Sequence, residues 1–204
     1  EGMQSEGLHI IDCGLATTPA MFMATLYDEF KVDGAIMITA SHLPFEYNGL
    51  KFFTTTGGAE HEDIEAILAL AADYSEEQTA GQLATVSHQD LLSVYAKDLV
   101  EKIRKGITQS ENPDKPLTGR HIVVDAGNGA GGFFVEQVLN VLGADTSGSQ
   151  FLDPDGRFPN HESNPDNKEA MNSLKEAVLK SNADLGIIFD TDVDRSALVD
   201  SNGQ

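Results

Sequence analysis

Tryptophan is absent from this chain of 204 residues, and cysteine occurs once, at Cys13. A single thiol excludes an intrachain disulfide framework and suits a reducing compartment. Cys13 lies in a strand pattern, where a small buried apolar residue is expected. Positive charge is scarce: 13 Lys plus Arg stand against 33 Asp plus Glu, a net charge of −20. Such a balance disfavours nucleic acid, whose phosphates reward basic surfaces, and it equally disfavours anionic membrane surfaces. No apolar run approaches the roughly 20 residues needed to span a bilayer. No secretory or transit signal is visible at the start. A cytoplasmic location is therefore expected, with an organelle left open because both ends look cut: the chain opens abruptly and stops at Ser201-Asn202-Gly203-Gln204, where a hairpin turn would begin. What is present in normal measure is apolar content, 40% of residues, enough for one large or two small cores.

Periodicity organises the chain into alternating strands and helices. Leu8 to Cys13 reads as a strand, Thr18-Pro19 as an N-cap and first turn, and Ala20 to Phe30 as an amphipathic helix. Gly34 to Thr39 is a short apolar strand of the kind buried on both faces. A polar loop then leads to a strand at Gly49 to Phe53, and residues 60–74 read as a helix with acids in its first turn. Residues 75–88 carry few large apolar groups and form the linker candidate. Beyond it, Leu91, Leu92, Tyr95, Leu99 and Ile103 make one helical stripe. A second unit follows: a strand at His121 to Asp125, a turn at Gly127 to Gly132, a helix at Phe133 to Leu142 and a weak strand within Ala144 to Leu152. Then come a loop at Pro154 to Pro165, a helix opened by Asp166 and Glu169 as a capping box, and strands at Leu185 to Phe189 and Ser196 to Asp200. The expected fold class is α/β: two tandem α/β/α sandwich domains with mixed sheets, residues 1–88 and 89–204.

Four motifs could carry chemistry. Asp190, Asp192 and Asp194, followed by Arg195, sit directly after the apolar run Leu185 to Phe189. Side chains two apart share a side of an extended backbone, so alternation implies convergence in an extended segment. Converging anions need a cation, and Mg2+ prefers carboxylate oxygens, while an adjacent Arg suits a phosphate. An EF-hand is excluded, because its sixth and twelfth positions would be Arg195 and Ser201 rather than Gly and Glu. A dehalogenase-type DxDx[TV] motif fits poorly, with Asp194 in its fifth position. Thr39-Ala40-Ser41-His42 leaves a strand C-terminus, where ligands gather in α/β folds, and Ser41 could be a nucleophile or phosphate carrier. Asn48-Gly49 is a turn signal, with Lys51 placed to face a phosphate. Gly127-Asn128-Gly129-Ala130-Gly131-Gly132 fits GxGxxG, with Asp145 eighteen residues beyond Gly127, so it reads either as a dinucleotide site or as a tight turn that brings helix and strand together.

Together these residues resemble the α-D-phosphohexomutase superfamily, the phosphoglucomutases and phosphomannomutases. The resemblance runs over nearly the whole chain. Thr39 to Pro44 matches the TASHNP-like phosphoserine loop, and Asn48, Gly49 and Lys51 match the NG-K element. Asp125 to Gly131 matches the strand-plus-GNGAG segment, Pro154 to Pro165 the PDGxFPNHxxNP loop, and Asp190 to Arg195 the DGDGDR loop. Under this resemblance the GxGxxG run is structural.

The resemblance implies a Mg2+-dependent enzyme that interconverts hexose 1-phosphate and hexose 6-phosphate through a hexose 1,6-bisphosphate. Ser41 would hold the phosphate and His42 contact it. Lys51 would serve proton transfer or charge stabilisation, and Arg195 would sit against phosphate or substrate. Asp190, Asp192 and Asp194 would bind Mg2+ with an oxygen of the phosphate on Ser41. Leu43 replaces the usual Asn, and Thr191 and Val193 replace two glycines; Val193 would be costly at positive φ. The family has two further domains, which read the sugar and grip the other phosphate, so this chain is expected to fold and to bind Mg2+ weakly without turning over hexose phosphates. Two other readings stay open: a catalytically silent or regulatory homologue, and a nucleotide-binding oxidoreductase using Gly127 to Gly132. The sugar and the oligomeric state are not encoded in these motifs.

Overall fold

The computed structural model describes residues 2–74 and 84–204. After a short helix α1 (Gly2–Ser5), strand β1 (Ile10–Asp12) leads into helix α2 (Thr18–Ala24), followed by β2 (Ala35–Ile38), β3 (Leu50–Thr54), the two-residue β4 (Gly57–Gly58) and helix α3 (His61–Asp73). Strand β5 (Val86–His88) and helix α4 (Leu91–Gly106) precede the second sheet, which is built from β6 (Ile122–Asp125), β7 (Leu185–Phe189) and β8 (Ser196–Asp200), with helix α5 (Lys168–Ser181) crossing between β6 and β7. The expected α/β class with mixed sheets is the one observed. In the second sheet β6 and β7 run parallel and β8 returns antiparallel, with Ile188 opposite Ala197. In the first half β2 and β3 pair antiparallel, placing Met37 opposite Lys51.

Alternation along β6 and β7 separates two apolar layers. Val123 and Ile188 pack with Leu174 and Val178 of α5, whereas Val124 and Phe189 pack with Val135 and Leu139 on the other face. Helices therefore cover both faces, as a largely parallel pair requires. Gly186 on β7 permits the close approach of α5: a Cβ there would lie 2.5 Å from Val178 Cγ2. A third cluster joins Ala20 and Ala24 of α2 to Met37 and to Leu91 and Leu92 of α4, so the first turn of α4 packs on the first half of the chain.

Several expectations need correction. Residues 75–83, most of the expected linker, lie outside the described residues, but the end of that stretch is not a linker. Val86 to His88 form β5 and pair in parallel with β1, Ile10 facing Val86. Three exposed residues carry too little apolar signal to announce a strand. Helix α2 stops at Ala24 rather than near Phe30, because Thr25 turns its hydroxyl back onto the carbonyls of Phe22 and Thr54 and the chain continues in turns. Its N-cap is Thr17, not Thr18. Strand β2 is not buried on both faces: Met37 is buried while Ile38 is 66% exposed. Cys13 is half-buried rather than buried, and burial still pushes its thiol above the usual value.

In the second half, the segment expected as a helix from Phe133 begins as a 3-10 turn (Ala130–Gly132) and runs through a π-type turn (Val135–Leu139), where the Asn140 amide bonds the Val135 carbonyl. The weak strand expected in Ala144 to Leu152 is reduced to bridges at Asp145 and Gln150 beside the two ends of β6, interrupted at Gly148 with φ of 89°. Helix α5 is capped by Asn167, whose side chain accepts from the amides of Glu169 and Ala170, so Asp166 and Glu169 form no capping box. No helix among the described residues is long and apolar enough to cross a membrane.

Candidate active site

The aspartates converge, but not for the reason their spacing suggested. Asp190 to Arg195 is the turn of the β7–β8 hairpin, closed by the Asp190 amide on the Arg195 carbonyl and the Val193 amide on the Asp190 carbonyl. The backbone is not extended there. Val193 adopts φ of 63°, the left-handed region. The turn brings one carboxylate oxygen of each aspartate within 4.8 Å of the others. Its outer side rests on the glycine turn: the Ala130 amide bonds the Thr191 carbonyl at 2.8 Å, and a Cβ on Gly129 would lie 2.7 Å from that same oxygen. The glycine run thus serves close packing, and the Thr191 backbone occupies the approach to Gly129.

Val193 bears a β-branched side chain in a conformation that costs about 1–2 kcal/mol for an L residue. Its side chain is half-buried against the cluster of Val124 and Phe189. Val193→Gly relieves the strain and loses that packing, so the net change in unfolding free energy is expected within about 1 kcal/mol of zero. Urea denaturation checks this. A destabilisation well above that figure would mean that the turn stores no strain at this position.

Electrostatics hold the cluster together. Arg195 donates to Asp190 three times, from its amide to Oδ1 at 3.0 Å and from Nε and Nη2 to Oδ2 at 3.1 and 3.0 Å. Lys51 reaches Asp192 Oδ2 at 2.7 Å and Asp194 Oδ2 at 2.8 Å. Burial pushes the Asp190 carboxyl above its usual value, with the neighbouring aspartates adding to the shift and Arg195 opposing it. Burial also acts to raise Asp192, but hydrogen bonds from Lys51 and Thr18 outweigh it and the group lies below its usual value. Burial disfavours the Lys51 ammonium, yet its bonds to Asp192 and Asp194 outweigh that, so its pKa is raised and it stays protonated.

The serine loop comes to meet this cluster. Ser41 holds φ of 54°, a strained value for a residue other than glycine, and such strain is often found at functional positions. Its Oγ lies 3.3 Å from His42 Nδ1, 3.4 Å from Asp190 Oδ2 and 3.3 Å from Arg195 Nη2. All seven residues singled out from the sequence, Ser41, His42, Lys51, Asp190, Asp192, Asp194 and Arg195, therefore fall in one place. Leu43 is exposed and lines, with Leu15, Phe45, Tyr47 and Phe158, a cavity of about 270 Å³ that reaches Ser41 and Asp192.

Sequence reasoning missed two participants. Thr18 donates its hydroxyl to Asp192 Oδ2 at 2.6 Å, and Asn164 accepts from Arg195 Nη1 at 3.4 Å. The only sequence signal for Thr18 was a spare hydroxyl: Thr17 and Thr18 both precede Pro19, and one of them suffices as a cap.

The donor set fits a hard divalent cation. Every candidate ligand is a carboxylate oxygen, and Asp192, 1% exposed in its side chain, keeps Oδ1 buried without a hydrogen-bond partner. A buried oxygen of that kind is expensive unless a cation meets it. Lys51 and Arg195 offset two of the three negative charges. The remaining charge is available to a metal.

Comparison with known proteins agrees with this geometry. Residues 1–78 match the family model described as phosphoglucomutase/phosphomannomutase, alpha/beta/alpha domain I, and residues 94–203 match that of alpha/beta/alpha domain II. A phosphoglucomutase/phosphomannomutase of Thermococcus kodakarensis is 32% identical over 206 residues, covering 100% of this chain and 42% of that protein. A phosphomannomutase of Escherichia coli is 33% identical over 215 residues, covering 100% of this chain and 44% of that protein. The crystal structure of a phosphoglucomutase/phosphomannomutase family protein from Burkholderia thailandensis superposes with a TM-score of 0.79 at 26% identity, covering 100% of this chain and 42% of that one. The chain thus spans well under half the length of these relatives. Over that span, the fold, the order of motifs and both domain matches agree, and the chain belongs to the phosphoglucomutase/phosphomannomutase family.

Proposed function

We propose that the full-length protein interconverts hexose 1-phosphate and hexose 6-phosphate, with Ser41 as the carrier of the phosphoryl group and a hexose 1,6-bisphosphate as intermediate. The observation that carries this reading is the meeting of Ser41 with Asp190 and Arg195 at 3.3–3.4 Å, although the residues stand about 150 positions apart. On this reading residues 1–88 form a first domain that supplies Ser41 and Lys51, and residues 89–204 a second that supplies the aspartate loop. The matched family domains, ending at residue 78 and starting at residue 94, support that division.

The chemistry is reversible. The bond between Ser41 Oγ and phosphorus breaks as a hexose hydroxyl oxygen bonds the phosphorus, and the hydroxyl proton ends on Ser41 Oγ. The bisphosphate so formed turns over and returns its other phosphoryl group to Ser41. Such transfer depends on alignment and charge neutralisation more than on covalent assistance by the protein. Lys51, protonated and anchored on two carboxylates, acts as a fixed positive charge rather than as a base. Arg195 holds Asp190 and faces Ser41 Oγ, where a phosphoryl oxygen would accept from its guanidinium. His42 Nδ1 lies 3.3 Å from Ser41 Oγ. Mg2+ held by Asp190, Asp192 and Asp194 would supply charge neutralisation for the transferring group.

Residues 1–204 alone are proposed to leave hexose phosphates unconverted, because the parts of the family that bind the sugar and its distal phosphate lie elsewhere. The test is interconversion of glucose and mannose phosphates by the full-length protein. Turnover of either supports the reading. No activity with any sugar phosphate would leave a catalytically silent homologue, the reading that Leu43 and the strained Val193 favour.

A further inference from the structure

We propose that Thr18 is a positioning residue of the aspartate cluster: its hydroxyl fixes the plane of the Asp192 carboxylate, holding one oxygen so that the other stays free for a divalent cation. This rests on the cluster being a cation site.

Thr18 grips Asp192 at two points. Its amide donates to the Asp192 carbonyl at 2.8 Å, and its Oγ1 donates to Asp192 Oδ2 at 2.6 Å. The hydroxyl is free to do this because the capping task falls to Thr17, whose Oγ1 accepts from the Ala20 amide at 3.2 Å. Thr18 is itself buried, and Pro19 follows it with a fixed φ and no amide proton, so the hydroxyl stands on a stiff helix start. Lys51 bonds the same oxygen, Oδ2, at 2.7 Å. Both donors therefore load one side of the carboxylate. The other oxygen, Oδ1, is buried and has no partner.

The two oxygens of a carboxylate are equivalent, so what a partner can fix is the torsion of the carboxylate plane, and with it where the free oxygen points. The Lys51 ammonium, on a long flexible stem, can follow the carboxylate as its plane turns. The Thr18 hydroxyl, held by a short side chain and a backbone bond to the same residue, cannot. Thr18 is thus the group that sets the carboxylate plane, and partners of this kind tune the affinity of a metal site without touching the metal.

The test is a titration of the chain with Mn2+ alone, following the free ion by electron paramagnetic resonance. Thr18→Val keeps the shape and removes the hydroxyl, and it is expected to raise the Mn2+ dissociation constant by roughly 10-fold or more. Thr18→Ser keeps the hydroxyl and is expected within roughly 3-fold of the unsubstituted chain. Should the valine variant fail to fold, Thr18→Ala carries the same expectation. Melting in chelator is recorded on the same samples: a residue that only joined α2 to the aspartate loop would lower the melting temperature and leave Mn2+ affinity unchanged. Equal affinity in the chain with and without the hydroxyl overturns the proposal while the cation site stands. No uptake of Mn2+ by the unsubstituted chain overturns the cation site, and the role of Thr18 with it.

Discussion

Ser41→Ala in the full-length protein is expected to lower the interconversion of hexose phosphates by roughly 10⁴-fold or more, the scale seen when a covalent carrier is removed outright. The fold should survive. Ser41 Oγ makes only long contacts, 3.3–3.4 Å, to His42, Asp190 and Arg195, so little stability is tied to it. Its backbone sits at φ of 54°, which alanine tolerates no worse than serine. The measurement is the initial rate with glucose and mannose phosphates, alongside circular dichroism of the same protein. A variant that keeps more than a tenth of the rate would remove Ser41 from the chemistry, whatever its position.

The largest effect on stability is expected away from the reacting atoms, at Asp125. This carboxylate closes β6 and is fully buried. It accepts from the Gly127 amide at 2.9 Å and from Gln150 at 2.8 Å, and it meets His161 Nε2 at 3.0 Å across a pair whose side chains are 2% and 0% exposed. The network ties the glycine turn, the Pro154 to Pro165 loop and α5 into one block, and Asn164 of that loop contacts Arg195. Asp125→Ala leaves His161 Nε2 and the Gly127 amide without their partner and takes one of two from the Gln150 side chain, and removing one member of a buried pair costs about 3–5 kcal/mol. Urea denaturation reads this directly.

The same pair gives the variant a pH signature. Burial pulls the His161 imidazole down, but the hydrogen bond that its Nε2 donates to the Asp125 carboxylate outweighs it, so its pKa in the folded protein is raised. A group whose folded value is raised contributes stability below its unfolded value and loses it as pH rises through the folded one. The Asp125 and His161 contribution should therefore be full below about pH 6.5 and fade above it, and the difference in stability between the unsubstituted chain and Asp125→Ala should shrink in that direction. A difference that grows with pH would mean that His161 is neutral in the fold.

Local pattern accounts for much of this architecture. The run Leu185 to Phe189 is apolar throughout because β7 is covered on both faces, and the stripe of α4 is legible because its Leu91 and Leu92 must enter the core. The candidate site residues stood out as serine beside histidine, lysine after Asn-Gly and clustered aspartates, but it was the resemblance to the phosphohexomutases, not residue type alone, that joined them into one expected site. What stayed hidden depends on partners distant in sequence. Alternating aspartates read as an extended segment, yet the hairpin turn gathers them with Val193 left-handed, and the hydrogen bonds across the hairpin decide that. Val86 to His88 became a strand only because β1 offers an edge. Asp125 looked like an ordinary strand end until His161, a long way down the chain, was found against it. Thr18 was read as a cap because its use for Asp192 spans 174 positions.

Whether Ser41 carries a phosphoryl group is decided by mass spectrometry of the full-length protein after exposure to a hexose 1,6-bisphosphate. The predicted result is a single phosphate located on Ser41 and lost in Ser41→Ala. Phosphate on any other residue, or none at all, would contradict it.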